Sequence, residues 1–509
     1  MPFKLKFIGA LLSLLLSFSY ELAQAQNSKI SQPISDTVYY HTYGGFNLDE
    51  ARDFKETSEK GFIIAGTSSS FGDGSTSFYL VKTDSNGTYQ WSKTYGSTNN
   101  DWCKSIEKTK DNGYLLCGYS NSYSNFDYDG FIVKVDSNGN ALWQKTIGET
   151  DWDFFYGSCA TSDSGFVFSG ETYSSTAGGT DAYICKIDRN GDTLWTRKFG
   201  TPFDESFSDV IEAGSSIFAC GKIYSSDSSK IMALLVKYDQ NGNCLDTLLY
   251  GNESSHNFKF NFVNKISNDN LLVGGEKVMF SGSNPASSLL MKLDTTMNFI
   301  WDTYAGYQSQ KDCMFGFENS LNEIVALHQQ DGSVGGKASY IYQLTSNSNF
   351  VDGATQDYPG NDFLYKGILT SGNRLAFVGH TSSFGAGSSD FWLVIFKKDS
   401  IYDDTKIKII NFQDTLPLSL ISIEESIKNT GISFFPNPVG MGEKINITGI
   451  AAHTELKIIS MLGQEVFRKK IETQQSEILE FYLPVLNKGN YLLLLNGEKT
   501  SYRFKLMVN

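Results

Sequence analysis

Residues 129–148 read Asp-Gly-Phe-Ile-Val-Lys-Val-Asp-Ser-Asn-Gly-Asn-Ala-Leu-Trp-Gln-Lys-Thr-Ile-Gly. The stretch is an apolar strand, a polar turn at 136–139 and a second strand that closes on a glycine. Most of the chain repeats this unit, because the closing glycine recurs at spacings of 52, 52, 52, 51, 55 and 54 residues. The closing glycines are Gly44, Gly96, Gly148, Gly200, Gly251, Gly306 and Gly360. Such a fixed period is typical of a repeat fold.

Each period contains four short strand patterns. The second copy displays them most clearly, at 102–108, 114–118, 131–135 and 141–146. Four strands in a repeat of roughly 40–50 residues are typical of a β-propeller blade. The i, i+3, i+4 apolar spacing of a helical solenoid is absent. The sequence therefore predicts an all-β fold based on a propeller.

The two ends of the array indicate the number of blades. The third strand of the repeat occurs seven times, but its last copy, at 391–397, has no fourth strand after it. A matching strand stands at 37–44 and corresponds to 88–96 in the next copy. Pairing the two ends would close the ring and remove open sheet edges. We predict a seven-bladed β-propeller at 37–399 closed by an N-terminal strand, a linker at 400–430 and a small C-terminal β-sandwich at 431–509.

The N-terminus has the pattern of a secretory signal peptide. Two lysines, Lys4 and Lys6, precede an apolar run at 7–18 and then Ala-Gln-Ala at 23–25. We predict a signal peptide at 1–25 with cleavage before Gln26; a membrane anchor is the alternative, although the run is short for a span. No later run is long and apolar enough to cross a bilayer, so we expect no transmembrane span in the mature chain.

Charge and cysteine content limit the class of partner. The formal net charge of −14 leaves no basic stripe to neutralise phosphates, which argues against nucleic acid as a partner.

The seven cysteines have no zinc-site spacing. Cys117 and Cys220 share one repeat position with Ala65 and Ser169, so we predict small buried residues there. Export permits disulfides, but the spacing assigns none. We expect a monomer.

A polar run with Asp first and Gly fourth recurs at 84–87, 136–139, 188–191 and 239–242. Its oxygen atoms could bind Ca²⁺, but the spacing and the terminal Glu of an EF-hand are missing. Asp and Gly at these positions between two strands suit a hairpin turn. We predict turns, with Ca²⁺ ligation as the alternative.

The position that follows each closing glycine by about five residues is mostly acidic and begins the first strand of a blade. If the first strand is innermost, these side chains surround the mouth of the channel and would bind a cation, such as Ca²⁺, or a basic partner. Capping of local turns is the alternative. No other cofactor is expected. The residues are Asp49, Asp101, Asp153, Glu205, His256, Asp312 and Asp362.

Loops between the second and third strands of a blade are rich in Ser, Gly and aromatic residues. In a propeller they share a face with the loops that lead into the first strand. Aromatic residues on that face suit a glycan or a protein ligand; they are Trp102, Trp152 and Phe154, with Phe155 and Phe203. The alternative is that these rings pack between blades.

The chain has no pattern typical of a catalytic site. Only five histidines occur, none in a His-Glu-x-x-His spacing, and no Gly-x-Ser-x-Gly elbow or phosphate loop is present. We expect extracellular or cell-surface binding without chemistry. A hydrolase or lyase that acts on polysaccharide is the alternative, because carboxylates are plentiful.

The C-terminal region contains Phe-Pro-Asn-Pro at 435–438, Leu-Gly-Gln at 462–464, Lys-Gly-Asn-Tyr at 488–491 and the ending Phe-Lys-Leu-Met-Val at 504–508. In this order the motifs resemble the C-terminal sorting domain of type IX secretion in Gram-negative bacteria. The resemblance implies the type IX machinery as partner and a protein that is secreted or attached to the outer cell surface. An ordinary adhesive sandwich is the alternative. The implied sorting-signal residues are Pro436, Asn437, Pro438, Gly463, Gly489 and Tyr491.

A Gly-x-x-x-Trp step at 87–91 and 139–143 is similar to the tryptophan-docking repeats of quinoprotein propellers. Those repeats have one more residue between the Asp and the Gly, and this chain has no adjacent Cys-Cys pair. The resemblance therefore implies architecture only.

Overall fold

The computed structural model describes the residues that follow. They are 38–123, 127–174, 176, 178–224, 230–251, 256–279, 287–305, 312–333, 335–396, 433–435, 444–448, 454–460, 465–471, 478–482, 489–496 and 501–508. The predicted signal peptide and linker lie outside them. Regular structure within these ranges is entirely β, so they hold no helix that could cross a membrane.

Residues 38–396 form seven four-stranded antiparallel sheets. Their strands, in chain order, are β1 (Val38–Tyr43), β2 (Asp49–Glu56), β3 (Phe62–Ser68), β4 (Ser77–Thr83), β5 (Tyr89–Tyr95), β6 (Asp101–Lys108), β7 (Tyr114–Ser120), β8 (Asp129–Val135), β9 (Ala141–Ile147), β10 (Asp153–Ala160), β11 (Phe166–Thr172), β12 (Asp181–Ile187), β13 (Thr193–Phe199), β14 (Glu205–Ala213), β15 (Ser216–Tyr224), β16 (Ile231–Tyr238), β17 (Cys244–Tyr250), β18 (His256–Ile266), β19 (Asn270–Met279), β20 (Ser287–Asp294), β21 (Phe299–Ala305), β22 (Asp312–Glu318), β23 (Ile324–Asp331), β24 (Lys337–Leu344), β25 (Phe350–Gln356), β26 (Asp362–Leu369), β27 (Leu375–Thr381) and β28 (Asp390–Phe396).

These sheets are the blades of a closed propeller. Blades 1 to 6 are consecutive meanders, β2–β5 through β22–β25, and blade 7 has the order β26-β27-β28-β1. In blade 7, Val38 pairs with Phe396 and Tyr43 pairs with Phe391. The first strands β2, β6, β10, β14, β18, β22 and β26 each contact the first strands of both neighbouring blades, which closes the ring. The predicted seven-bladed propeller closed by an N-terminal strand is confirmed.

The core lies between the blades. Strands β3 and β4 are buried at every position, whereas the outer strand β5 is half-buried or exposed throughout. Burial on both faces explains why the middle strands read as continuous apolar runs. Cys117 and Cys220 are fully buried, as predicted, and all seven cysteines are unpaired.

The outer hairpin turns have the predicted geometry. In the first one, Gly87 N donates to Asp84 O at 3.1 Å, and Asp84 Oδ1 accepts from the backbone N–H groups of Asn86 and Thr88 at 2.8 Å each. Gly87 has a φ of 88°, the left-handed region that glycine enters without a steric penalty. The same hydrogen bonds recur at Asp136, Asp188 and Asp239. The turn interpretation is therefore confirmed.

The C-terminal unit is also all-β. Its strands are β29 (Ser433–Phe435), β30 (Lys444–Thr448), β31 (Thr454–Ser460), β32 (Glu465–Ile471), β33 (Ile478–Tyr482), β34 (Gly489–Asn496) and β35 (Ser501–Val508). They form two antiparallel sheets, with orders β29-β30-β33 and β32-β31-β34-β35. The predicted strands are present, and their face-to-face packing as a sandwich stays a prediction.

Candidate functional site

Two sets of loops meet at one end of the blades, which we call the loop face. The backbone N–H of Tyr173, after β11, donates to Trp152 O at 2.7 Å, just before β10. The N–H of Asp153 donates to Tyr128 O at 2.6 Å, just before β8. Loops between second and third strands therefore lie beside loops that lead into first strands, as the propeller prediction requires.

The seven predicted channel-mouth residues each begin the first strand of a blade. Asp101 shows the surroundings that most of them have. It is fully buried, and its carboxylate accepts from Ser97 N at 2.8 Å and from Ser122 Oγ at 3.1 Å. Burial raises the pKa of Asp101, against the effect of these hydrogen bonds. Fully buried residues with comparable local partners are Asp49, Asp153, Glu205 and Asp362.

The other two predicted channel-mouth residues, His256 and Asp312, are half-buried, and Asp312 pairs with Lys259 at 3.0 Å. Within the described ranges, no group of three His, Cys, Asp or Glu side chains is placed to hold a metal ion. The carboxylates of Asp101, Asp153 and Glu205 accept hydrogen bonds from backbone N–H groups of the preceding loop, as expected if these residues cap local turns. The cation ring and Ca²⁺ stay predictions, which a calcium titration followed by thermal melting and elemental analysis would test.

An aromatic cluster lies on the loop face between blades 2 and 3. We call it the aromatic platform; its members are Tyr119, Tyr128, Trp152, Phe154, Tyr156 and Tyr173. The rings are in mutual contact, with centroids 4.8 Å apart for Tyr119 and Phe154 and 5.8 Å apart for Trp152 and Tyr173. Trp152 and Tyr173 are 42% and 41% exposed, so the platform presents ring surface to solvent.

The platform contains two of the three predicted binding-face aromatics, Trp152 and Phe154. The third, Trp102, is half-buried, and its ring lies 5.6 Å from Lys104 Nζ. The alternative of packing between blades also has support here, since Phe154 of blade 3 lies 4.8 Å from Tyr119 of blade 2. The expectation that Phe155 lies on the binding face is wrong, because Phe155 is fully buried and stacks on Phe168 at 5.0 Å.

A β-bulge interrupts the first strand of every blade at one equivalent position. The bulged residues are half-buried and chemically different; they are Arg52, Lys104, Tyr156, Ser208, Asn261, Met314 and Tyr365. A bulge redirects a side chain while the strand continues. The backbone of this position is therefore constant around the ring, and the side chain is what distinguishes one blade from another.

Two cations, Arg52 and Lys104, occupy the bulges of blades 1 and 2 beside the platform. Lys104 Nζ lies 5.3 Å from the ring of Tyr119, a platform member. Arg52 pairs with Glu50 and lies 4.3 Å over the ring of Tyr365. Burial, followed by repulsion from Arg52, lowers the pKa of Lys104 to about 8. The site therefore combines aromatic surface with fixed positive charge.

His380, on β27, lies close to the two residues Glu50 and Tyr365 that contact Arg52. Its ring lies 4.8 Å from Phe363 and 5.5 Å from Tyr365, and its Nδ1 atom is 3.9 Å from Glu50 Oε1. That distance is too long for a hydrogen bond, and the buried Nδ1 makes none. Burial lowers the pKa of His380 to about 4, so the imidazole is neutral at physiological pH.

Further along the same first strands, away from the loop face, an ionic network fills the centre. Lys55 Nζ lies 3.0 Å from Glu107 Oε1 and 3.5 Å from Asp53 Oδ2. Lys366 lies 3.7 Å from Asp209. The network has members from blades 1, 2, 4 and 7 and lies behind the site. We call these residues, Asp53, Lys55, Glu107, Asp209 and Lys366, the ionic floor.

Sequence reasoning did not single out Arg52, Lys104, Tyr119, Tyr173 or His380. Aligning the repeats position by position would have exposed the variation at the bulge. Nothing in the spacing reveals the bulge itself, because it is a feature of strand pairing.

Comparison with known proteins bears on the C-terminal unit. Residues 433–509 match the family described as secretion system C-terminal sorting domain. The C-terminal unit is a sorting domain. The predicted recognition of a type IX sorting segment is confirmed, so this is a propeller protein sorted by type IX secretion.

Two of the residues implied to form the sorting signal are described. Gly489 and Tyr491 lie on β34, where Gly489 pairs with Val508 and Tyr491 with Leu506. The others, Pro436, Asn437, Pro438 and Gly463, lie outside the described residues.

Similarity elsewhere in the chain is distant. The regulatory protein FlaEY of Caulobacter vibrioides is 26% identical over 178 residues, which is 29% of this chain and 18% of that protein. PorZ, a surface component of the type IX secretion system of Porphyromonas gingivalis, has a TM-score of 0.41 at 12% identity and covers 92% of this chain and 59% of its own. A polysaccharide lyase, an ulvan lyase bound to -[GlcA(1-4)Rha3S]-, has a TM-score of 0.46 at 8% identity, with 70% of this chain and 96% of that chain covered. Function therefore has to be argued from the site itself.

Proposed function

We propose that the protein is a cell-surface binding propeller, delivered by type IX secretion, which holds a glycan on the aromatic platform. The observation that carries the proposal is the platform itself: six rings in contact, two of them about two-fifths exposed, on one side of the ring of blades. The equivalent positions in blade 1 hold Leu48, Glu50 and Arg52 in place of Trp152, Phe154 and Tyr156. A localised departure from the repeat supports one ligand site.

The chemistry of the platform favours a glycan over a peptide. Rigid, amphipathic rings offer large contact area at small cost in side-chain entropy. Sugar rings have apolar C–H faces that can lie on such surfaces, and hydroxyl groups that can bond the nearby phenols and carboxylates. Tyr156 already donates to Glu171 Oε1 at 2.9 Å, which places a polar pair beside the rings.

A glycan array probed with the full chain tests this proposal. We expect Trp152→Ala to weaken binding about tenfold or more, because an exposed central ring is removed. Leu142→Ala is the matched control, since Leu142 is a 55% exposed apolar residue on the outer strand of blade 2. Equal losses for both variants, or binding only to peptides, would contradict the proposal.

A second candidate is a hydrolase or lyase acting on polysaccharide. It is favoured by one observation: two titratable groups with lowered pKa, Lys104 and His380, lie on the loop face and lack a hydrogen-bonded partner among the described residues. A degradation screen run beside the array separates the candidates. Turnover of any polymer that is lost in Lys104→Met, with binding retained, would replace the binding-only proposal.

Delivery follows from the sorting domain. We infer export through the signal peptide at 1–25, cleavage before Gln26 and release or surface attachment after recognition of 433–509. Deletion of 432–509 should leave the protein in the periplasm, as measured by fractionation and immunoblotting. Normal surface delivery of that deletion would refute the inference.

A further inference from the structure

Lys104 lies close to the anion Glu50 but makes no salt bridge with it. Its half-buried side chain makes no salt bridge or hydrogen bond with any described residue, and it lies 5.6 Å and 5.3 Å from the rings of Trp102 and Tyr119. Two buried lysines of the propeller are paired, since Lys186 lies 2.7 Å from Asp163 and Lys82 lies 2.9 Å from Glu59. A partly desolvated ammonium that makes no hydrogen bond to an anion is costly, and an anionic ligand would relieve that cost.

Arg52 supplies a second cation at the equivalent bulge of the neighbouring blade. Its guanidinium pairs with Glu50 on one side and faces Tyr365 on the other, so its orientation is fixed before any ligand arrives. The two cations stand at equivalent bulges of β2 and β6, first strands of neighbouring blades that contact each other. With Glu50 as the nearby anion, this corner carries an excess of positive charge on a protein of net charge −14.

We propose that Arg52 and Lys104 form an oxyanion subsite beside the aromatic platform, which takes the carboxylate or sulfate group of an acidic sugar residue. This rests on the proposed glycan-binding function and specifies its ligand as an acidic polysaccharide. Tyr119 links the two parts, since its ring lies 5.3 Å from Lys104 Nζ and 4.8 Å from the ring of Phe154. A sugar chain resting on the platform would therefore bring an acidic group on the next residue within reach of the cations.

Local cations are needed because the remainder of the protein repels polyanions. A net charge of −14 disfavours non-specific association with an acidic polymer. Binding of such a polymer would consequently depend on a few fixed charges. Charge-assisted hydrogen bonds from Lys and Arg to oxyanions are the strong kind, so loss of one should be readily measurable.

The charged and titratable groups around Lys104 give the proposal a distinctive pH dependence. Burial raises the pKa of Tyr119 and of Tyr365 to about 12, and burial lowers that of His380 to about 4. Despite burial, Arg52 holds the pKa of Glu50 below its usual value, and the pKa of the Arg52 guanidinium is raised. Burial keeps the Cys103 thiol neutral by raising its pKa well above the usual value. Lys104, with a pKa of about 8, is then the group that loses charge in mildly alkaline solution.

Calorimetry on the full chain tests the subsite. The probes are a polyglucuronate oligosaccharide, a sulfated glucan oligosaccharide, a neutral glucan oligosaccharide and an oligoglutamate peptide. We expect at least one acidic oligosaccharide to bind about tenfold tighter than the neutral one. Which acidic probe responds distinguishes a carboxylate from a sulfate ligand.

Substitutions at Lys104 separate charge from packing. Lys104→Met should abolish the preference for acidic sugar, and Lys104→Arg should keep it. The matched control is Lys145→Met, because Lys145 also lies 5.6 Å from a tryptophan ring, that of Trp143, but on the outer strand. Wild-type affinity for the acidic probe should fall about tenfold between about pH 7 and about pH 9.5, whereas the Lys104→Arg affinity should stay constant. A merely structural role for Lys104 would not produce that difference.

The outcomes separate this inference from the function on which it rests. Equal binding of acidic and neutral sugars by the wild type, or an unchanged preference in Lys104→Met, overturns the subsite while glycan binding stands. Binding of no sugar by the wild type overturns both. Tighter binding of oligoglutamate than of any sugar overturns the saccharide assignment. If Lys104→Met has a lower melting temperature than the wild type, Lys104→Gln takes its place in the binding comparison.

Discussion

The outer turns and the inner strands of the same blades differ in how much the repeat has varied. Four of the outer turns keep one chemistry: Asp84, Asp136, Asp188 and Asp239 each accept hydrogen bonds from their own turn. The inner bulges keep one backbone but hold seven side chains of six residue types. The Asp is retained in these four turns because its side chain makes the local structure. The bulged side chain contributes little to the strand pairing, so it is available for ligand selection.

Two adjacent residues of β10 offer the sharpest test of this difference. Phe155 is fully buried and lies 5.0 Å from Phe168 and 5.9 Å from Tyr183, so Phe155→Ala should cost about 3–5 kcal/mol in the free energy of unfolding. Phe154 is half-buried on the platform, so Phe154→Ala should cost about 1–2 kcal/mol and weaken glycan binding. Denaturant unfolding of both variants measures the effect. Equal losses of stability would remove the distinction between framework and site.

The ionic floor behind the site should behave as framework. Lys55→Met would leave Asp53 and Glu107 facing each other, and we expect a loss of about 2 kcal/mol or more. Burial already raises the pKa of Glu107 although Lys55 opposes that effect; removing Lys55 would raise it further. The loss in the free energy of unfolding should therefore be larger at about pH 8 than at about pH 4.5, because Glu107 of the folded variant takes up a proton at the lower pH.

The matched control for the floor is Lys265→Met, which removes an exposed ion pair with Asp269 at 2.8 Å. Exposed pairs of this kind contribute about 0–1 kcal/mol. Thermal melting at the two pH values compares the variants. A pH-independent deficit in Lys55→Met would show that packing, and not charge, holds the floor together.

The smallest effects are expected at the outer turns. Gly191 has a φ of 82°, and an added Cβ would lie 2.7 Å from a ring atom of Trp143, so Gly191→Ser should destabilise by about 1–2 kcal/mol. Ser348 occupies the equivalent place in blade 6 with a φ of 67°. Ser348→Gly should therefore stabilise by about 0.5–1 kcal/mol. Opposite shifts in melting temperature are the expected result, and shifts of the same sign would contradict the turn assignment.

The candidate site was only partly predictable from sequence. Trp152 and Phe154 could be placed on the loop face because the repeat gives their position in the blade. Phe155, one residue further, could not be distinguished from Phe154 by composition; strand alternation puts it in the core. The position of Asp101 at the start of its strand was predictable, but its burial against Ser97 and Ser122 was not, because those partners come from the folded loops.

The architecture and the sorting of this protein can both be predicted from its amino-acid sequence alone. The repeat period and the turn residues predict the blades, because each strand pairs with its neighbour along the chain. The matching strand at 37–44 predicts the closure of the ring, because it supplies the fourth strand that the last blade lacks. The motifs of 433–509 specify sorting. Which side chains share a surface depends instead on how the blades pack together. Lys104, Arg52 and His380 belong to three different blades, and their spacing along the chain does not show that they are neighbours. They come together because the ring of blades closes and because a bulge places Arg52 and Lys104 on their strands.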